Sequence, residues 1–250
     1  LPNAFKGLVS LKMLNLARNQ INEISPDAFL GLSSIDQIYL DENMIGFIGD
    51  DLFRRLTTLS GIALDNNQIR FISAKTFSNL KSLVWLNVSE NNIELVDESA
   101  FEDNLQLQEI DIANNQIDQV SMKAFKNLSN LKMLFLTNNK ITSVEPKLFE
   151  KLVSLYLLDM NGNELKELPS KLFENNALLS RITISSNNIS FVAPDVFSKS
   201  NSVTWLSLDE NKLTEFPEGT IENLDSLEML ELTSNPITLV PANYFSKVTS

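Results

Sequence analysis

Leu11-Lys12-Met13-Leu14-Asn15-Leu16-Ala17-Arg18-Asn19-Gln20-Ile21 opens the row of residues that decides the fold. Its marked positions, Leu11, Leu14, Leu16, Asn19 and Ile21, continue through Ile24, Phe29 and Leu32, and the row returns 24 residues later as Ile35, Ile38, Leu40, Asn43, Ile45, Ile48, Phe53 and Leu56. A third copy starts at Leu59. Seven more start at Leu83, Leu107, Leu131, Leu155, Leu179, Val203 and Leu227, ten in all with no insertion or deletion, and residues 1–10 are the tail of a preceding copy. A period between about 20 and 50 residues marks units that cannot bury an apolar face alone and must stack on one another. Residues 1–250 therefore read as a single solenoid, where length alone would suggest one or two globular domains.

Within each copy, apolar residues two apart lie on one side of an extended chain, so the LxxLxL segment predicts a short β-strand with one buried face. The Asn at the ninth position, from Asn19 to Asn235, ends that strand at a turn. Stacked amides there can pair turn backbone groups of neighbouring copies that would otherwise be buried without partners. An aromatic column follows: Phe5, Phe29, Phe53, Phe77, Phe101, Phe125, Phe149, Phe173, Phe197 and Phe245, interrupted by Ile221. Because it recurs in phase with the core positions, it predicts a stacked internal spine and no ligand contact. Three copies carry Asn104, Asn176 and Ser200 where Leu is usual, which predicts loosened spots on the outer side.

These columns resemble the leucine-rich repeat family in its 24-residue animal extracellular form, as in Toll-type receptors and secreted immune or adhesion proteins; the segment Ala28-Phe29-Leu30-Gly31-Leu32 carries the outer-face part of the likeness. The resemblance implies an α/β-type solenoid, a right-handed horseshoe with a parallel β-sheet on its concave face and irregular or short helical segments on its convex face. It also implies extracellular placement and a noncatalytic role in protein recognition. The family's cysteine-clustered caps have no counterpart here. The chain accordingly reads as a cut from the middle of a longer array, expected to aggregate or melt early in isolation.

Composition narrows the function classes. With no His and no Cys, the chain cannot build a Ser-His-Asp or Cys-His nucleophile, a His- or Cys-ligated zinc site, or a disulfide. No cofactor is expected. The 20 basic against 32 acidic residues leave a net charge of −12, which repels a nucleic-acid backbone. No apolar run approaches the roughly 18 residues of a membrane helix, so membrane contact by this segment is not expected. Paired carboxylates such as Asp111 and Asp159 stand two copies apart, on an open sheet expected to leave their titration unshifted.

Function is expected on the strand wall, where the positions between the core residues are free to vary. About ten strands at roughly 4.8 Å each make a sheet near 48 Å long. The position before the second core residue carries Trp85, Met133, Leu157, Trp205 and Met229, and the position after it carries Tyr39 and Phe135, with Tyr156 beside Leu157. Such side chains bury much area for little rotamer loss and are enriched in interfaces. Met133, Phe135, Tyr156 and Leu157 are expected to form one patch, Trp205 and Met229 a second. Asp41 and Asp65, in adjacent copies, repel unless a cation or a basic partner screens them, the latter being the expected case. Phe47, Phe71 and Leu95 occupy one position of three consecutive copies: they either form a lateral strip for a homodimer or co-secreted complex, or lie flat over the turn and seal the core. Three glycosylation sequons start at Asn87, Asn127 and Asn188; a glycan on Asn87 would crowd Trp85, and one on Asn127 would interfere little.

Overall fold

The computed structural model describes residues 4–215 and 219–240. Ten three-residue strands recur once per copy: Met13–Asn15, Gln37–Tyr39, Gly61–Ala63, Trp85–Asn87, Glu109–Asp111, Met133–Phe135, Leu157–Asp159, Arg181–Thr183, Trp205–Ser207 and Met229–Glu231. They pair in chain order into one parallel sheet. Registers advance by 24 at every step, as Leu14↔Ile38 and Ile182↔Leu206 show. Because the register equals the repeat, each column of the sequence is a row of neighbouring side chains on the sheet. Two smaller parallel pairs, Phe71–Ile72 with Leu95–Val96 and Glu167–Leu168 with Phe191–Val192, lie on a flank of the coils. The outer segments are turns, with no helix among the described residues.

The middle residue of each strand points inward: Ile38, Ile62, Leu86, Ile110, Leu134, Leu158, Ile182 and Leu206 are buried. The phenylalanines form the expected spine. Ring centroids of Phe5, Phe29, Phe53, Phe77 and Phe101 follow one another at 5.9–6.3 Å, and those of Phe149, Phe173 and Phe197 at 5.6–5.9 Å. Phe245 lies outside the described residues.

Asparagines close the turns as their position requires. The Asn115 amide donates to the carbonyls of Val88, Ile112 and Ala113 at 3.0–3.1 Å, and its Oδ1 accepts from Ile93 N–H at 2.9 Å. The pattern repeats at Asn43, Asn67, Asn91, Asn139, Asn163, Asn187 and Asn211. One residue earlier, Arg18, Glu42, Asn66, Glu90, Asn114, Asn138, Ser186, Glu210 and Ser234 all hold φ between 51 and 57°, and Gly162 holds 64°. Each turn thus passes through the left-handed region, which costs a non-glycine residue about 1–2 kcal/mol.

Asn104, Asn176 and Ser200 are not loosened spots. All three are fully buried. Asn104 donates to the carbonyls of Phe77 and Leu80 in the preceding coil at 2.9 and 3.1 Å, and Asn176 does the same with Phe149 and Leu152. They tie adjacent coils together, since an amide reaches outer-loop carbonyls that leucine cannot. The Oδ1 atoms of both and the Ser200 hydroxyl have no protein partner. At the two ends the core is less covered: Leu11, Leu16, Leu227, Leu230 and Leu232 are only partly buried.

Candidate recognition surface

Side chains flanking each inward residue stand on the strand wall, and their positions follow from the register. Trp85, Met133, Phe135, Leu157 and Trp205 are half-buried, Met229 is exposed, and Tyr156 is 55% exposed. None is hidden in the interior.

Met133 faces Leu157, and Phe135 faces Asp159, on adjoining strands. Tyr156 immediately precedes Leu157, and its N–H donates to Lys132 O at 2.8 Å. Register therefore keeps the four residues Met133, Phe135, Tyr156 and Leu157 on two neighbouring coils.

Trp85 and Tyr39, two strands apart, are brought together. Their ring centroids lie 5.9 Å apart and the planes are tilted by 43°. The intervening strand makes this contact possible because it carries Gly61 and Ala63. A Cβ at Gly61 would collide with Cε2, Cζ2 and Nε1 of Trp85, so the indole lies directly over the glycine. Tyr39 is held in turn by its hydroxyl, which donates to Gln37 Oε1 at 2.8 Å. Sequence columns alone do not pair these rings; the signal available was two small residues on one strand between two aromatic ones.

Trp205 is set differently. The Arg181 guanidinium carbon sits 3.7 Å from its ring centroid, and its N–H donates to Glu231 Oε2 at 2.8 Å. Met229 lies beside it in register. The second patch is therefore a charged clasp around one indole, with Met229 at its edge.

Carboxylates fill the strand exits. Burial raises the Asp65 carboxyl above its ordinary range, a backbone hydrogen bond opposes this, and the charges of Asp41, Asp111 and Glu90 add to the rise. Glu109 is raised by burial and then by Asp111. Burial also raises Asp111; the Ala113 N–H, 2.9 Å from its Oδ1, pulls the other way, and Asp159 and Glu90 push further up. The expectation of an unshifted Asp111 is thus corrected, because flanking side chains on a concave wall withdraw water that a flat sheet would leave. Among the described residues no three acidic groups come close enough together to hold a metal ion.

On the flank, Phe47, Phe71 and Leu95 are 58%, 43% and 60% exposed, with the two phenyl rings 5.8 Å apart and Phe71 paired in register with Leu95. They form a continuous apolar strip that is about half exposed to solvent. Of the sequon residues, Asn127 is exposed on an outer turn, Asn188 is half-buried past a strand, and Asn87 sits on the strand wall with Oδ1 accepting from the Ser89 backbone and hydroxyl at 2.9 and 2.7 Å.

A family model described as leucine rich repeat matches residues 2–45, 38–93, 105–165, 154–213, 177–237 and 201–249. No curated protein sequence matches the chain. Among solved structures, the TLR13–ssRNA13 complex is 24% identical with a TM-score of 0.82, over 94% of this chain and 38% of that one. The Drosophila Toll–Spatzle complex in its glycosylated form, described as a hub in development and innate immunity, is 23% identical with a TM-score of 0.89, over 95% of this chain and 34% of that one. The functional domain of InlJ from Listeria monocytogenes is 23% identical with a TM-score of 0.75, over 96% and 48%. These likenesses show a shared fold. The chain spans 38% and 34% of the first two, little more than a third of their length.

Proposed function

Since the chain belongs to the leucine-rich repeat family, we propose that it is a noncatalytic protein-recognition segment of an extracellular or cell-surface protein, in immune recognition or adhesion, and that it binds through the strand wall. One observation carries the reading: ten in-phase strands hold Trp85, Met133, Phe135, Tyr156 and Leu157 at the surface of a wall that the core does not need. The Drosophila Toll complex with Spatzle gives a precedent for protein binding on this fold. The partner is a protein with basic character, because Asp41, Asp65, Glu109 and Asp111 crowd like charges that such a partner relieves. The TLR13 complex contains RNA, but a net charge of −12 opposes a phosphate backbone, so nucleic acid is not assigned to this chain. Among the described residues no helix is long and apolar enough to cross a membrane.

The test is a binding screen against secreted and cell-surface proteins, followed by affinity measurement on the Phe135→Ala/Tyr156→Ala double variant. A loss of at least about ten-fold is expected for removing two interface aromatics; unchanged affinity removes this patch from the reading. Association is also expected to slow as salt is added. A second reading rests on the exposed strip Phe47, Phe71 and Leu95: a homodimer or co-secreted assembly through the flank. Light scattering separates the two, since Phe71→Asp dissociates a flank dimer and leaves strand-wall binding intact.

A further inference from the structure

We propose that the outer face of Trp85 seats an arginine side chain of the protein partner, with Asp65 and Asp111 beside it to hold the guanidinium. This rests on the strand-wall reading above and names the chemistry that the wall selects.

The molecule contains its own version of the contact. Trp205 occupies the same strand position as Trp85, and there the coil before supplies Arg181 over the ring while the coil after supplies Glu231 to the indole N–H. At Trp85 the coil after still supplies a carboxylate in the place of Glu231, namely Asp111, but the coil before supplies Gly61 in the place of Arg181. With no side chain at Gly61 the indole leans back onto the strand until it meets Tyr39 at 5.9 Å. One ring face is spent on the strand, and the indole as a whole stays only half-buried. Among the described residues the cation–ring contact is that of Arg181 on Trp205, and the ion pairs include none of Asp65, Glu109 and Asp111.

Charge complementarity chooses the occupant of this face. An acidic or purely apolar segment would leave Asp65, Glu109 and Asp111 uncompensated in surroundings that already disfavour their charge. A guanidinium neutralises them, stacks flat on the indole and donates through a fork that fits carboxylates. An ammonium supplies the charge but neither the plane nor the fork, so arginine is favoured over lysine.

Titration of the 250-residue chain with capped pentapeptides bearing two arginines, two lysines or two glutamates, and with a single-stranded oligonucleotide, tests the proposal. Expected is binding of the arginine peptide about ten-fold tighter than the lysine peptide, and a loss of similar size in Trp85→Ala, with Asn127→Ala on an outer turn unchanged. Gly61→Arg is expected to weaken binding as well, by seating its own guanidinium; circular dichroism establishes that each variant is folded, and the contrast of Trp85→Ala with Asn127→Ala carries the test if Gly61→Arg does not fold. Equal binding of the arginine and lysine peptides, indifference to Trp85→Ala, or tighter binding of the glutamate peptide or the oligonucleotide overturns it. If the arginine peptide fails while Phe135→Ala/Tyr156→Ala still costs partner affinity, this inference falls and the recognition reading stands.

Discussion

At Asn115 one side chain pairs four backbone groups from two coils, and that economy explains why an asparagine recurs at every turn. Asn115→Ala strands the Ile93 N–H, while the carbonyls of Val88, Ile112 and Ala113 each keep a second donor in Asn91, Asn139 and the Glu90 N–H, and it is expected to lower stability by about 1–3 kcal/mol in a urea titration. Gly162→Ala is expected to cost about 1–2 kcal/mol, because its φ of 64° lies in the left-handed region and a Cβ would collide with Asn138 Oδ1. Ser200→Ala should gain about 1 kcal/mol by deleting a buried hydroxyl that has no partner. For Asp111, Asp65 and Glu109 the folded-state pKa is raised, so their contribution is fully present below the unfolded value and is lost as pH climbs through the folded one. Asp111→Asn keeps an acceptor for the Ala113 N–H and sheds the charge; calorimetry should show a higher melting temperature than wild type at pH 7 and little difference near pH 3.

At the scale of strands and turns, period and phase are legible in the sequence because the sheet register equals the repeat. The core row Ile38, Ile62 and Leu86, the phenylalanine spine and the asparagine turns follow directly from that identity. Contacts that depend on where a side chain leans do not follow. Trp85 leans back over Gly61 to reach Tyr39, and Trp205 leans forward to Glu231, although both hold the same strand position. The difference lies in the preceding coil, glycine in one case and arginine in the other, which a column of hydrophobicity does not register. Asn104 and Asn176 depart from their column for a related reason: a polar residue in an apolar column suggests looseness, but the carbonyls of the previous coil lie within reach of its amide. The sequence column of the flank strip allows both covering the core and facing outward, and the exposure of Phe47, Phe71 and Leu95 favours the outward reading.

Across the whole molecule, each coil lends its neighbours the apolar partner they lack, and the two end coils are therefore the least covered. Leu227, Leu230 and Leu232 are partly buried while Leu155, Leu158 and Leu179 in middle coils are fully buried. Fusing a capping repeat with a polar outer face to each end should raise the melting temperature and suppress aggregation of the 250-residue chain, measured by calorimetry and light scattering. Because stacking satisfies the interior, the side chains of the strand wall carry no core duty, and the proposed function uses that wall to bind another protein. Hydroxyl-radical footprinting with and without a bound protein partner tests that claim most directly. The account predicts that the partner shields Trp85, Met133, Phe135 and Tyr156 from oxidation while Phe47 and Phe71 stay as reactive as in the free chain; protection of Phe47 and Phe71 with an unshielded strand wall would contradict it.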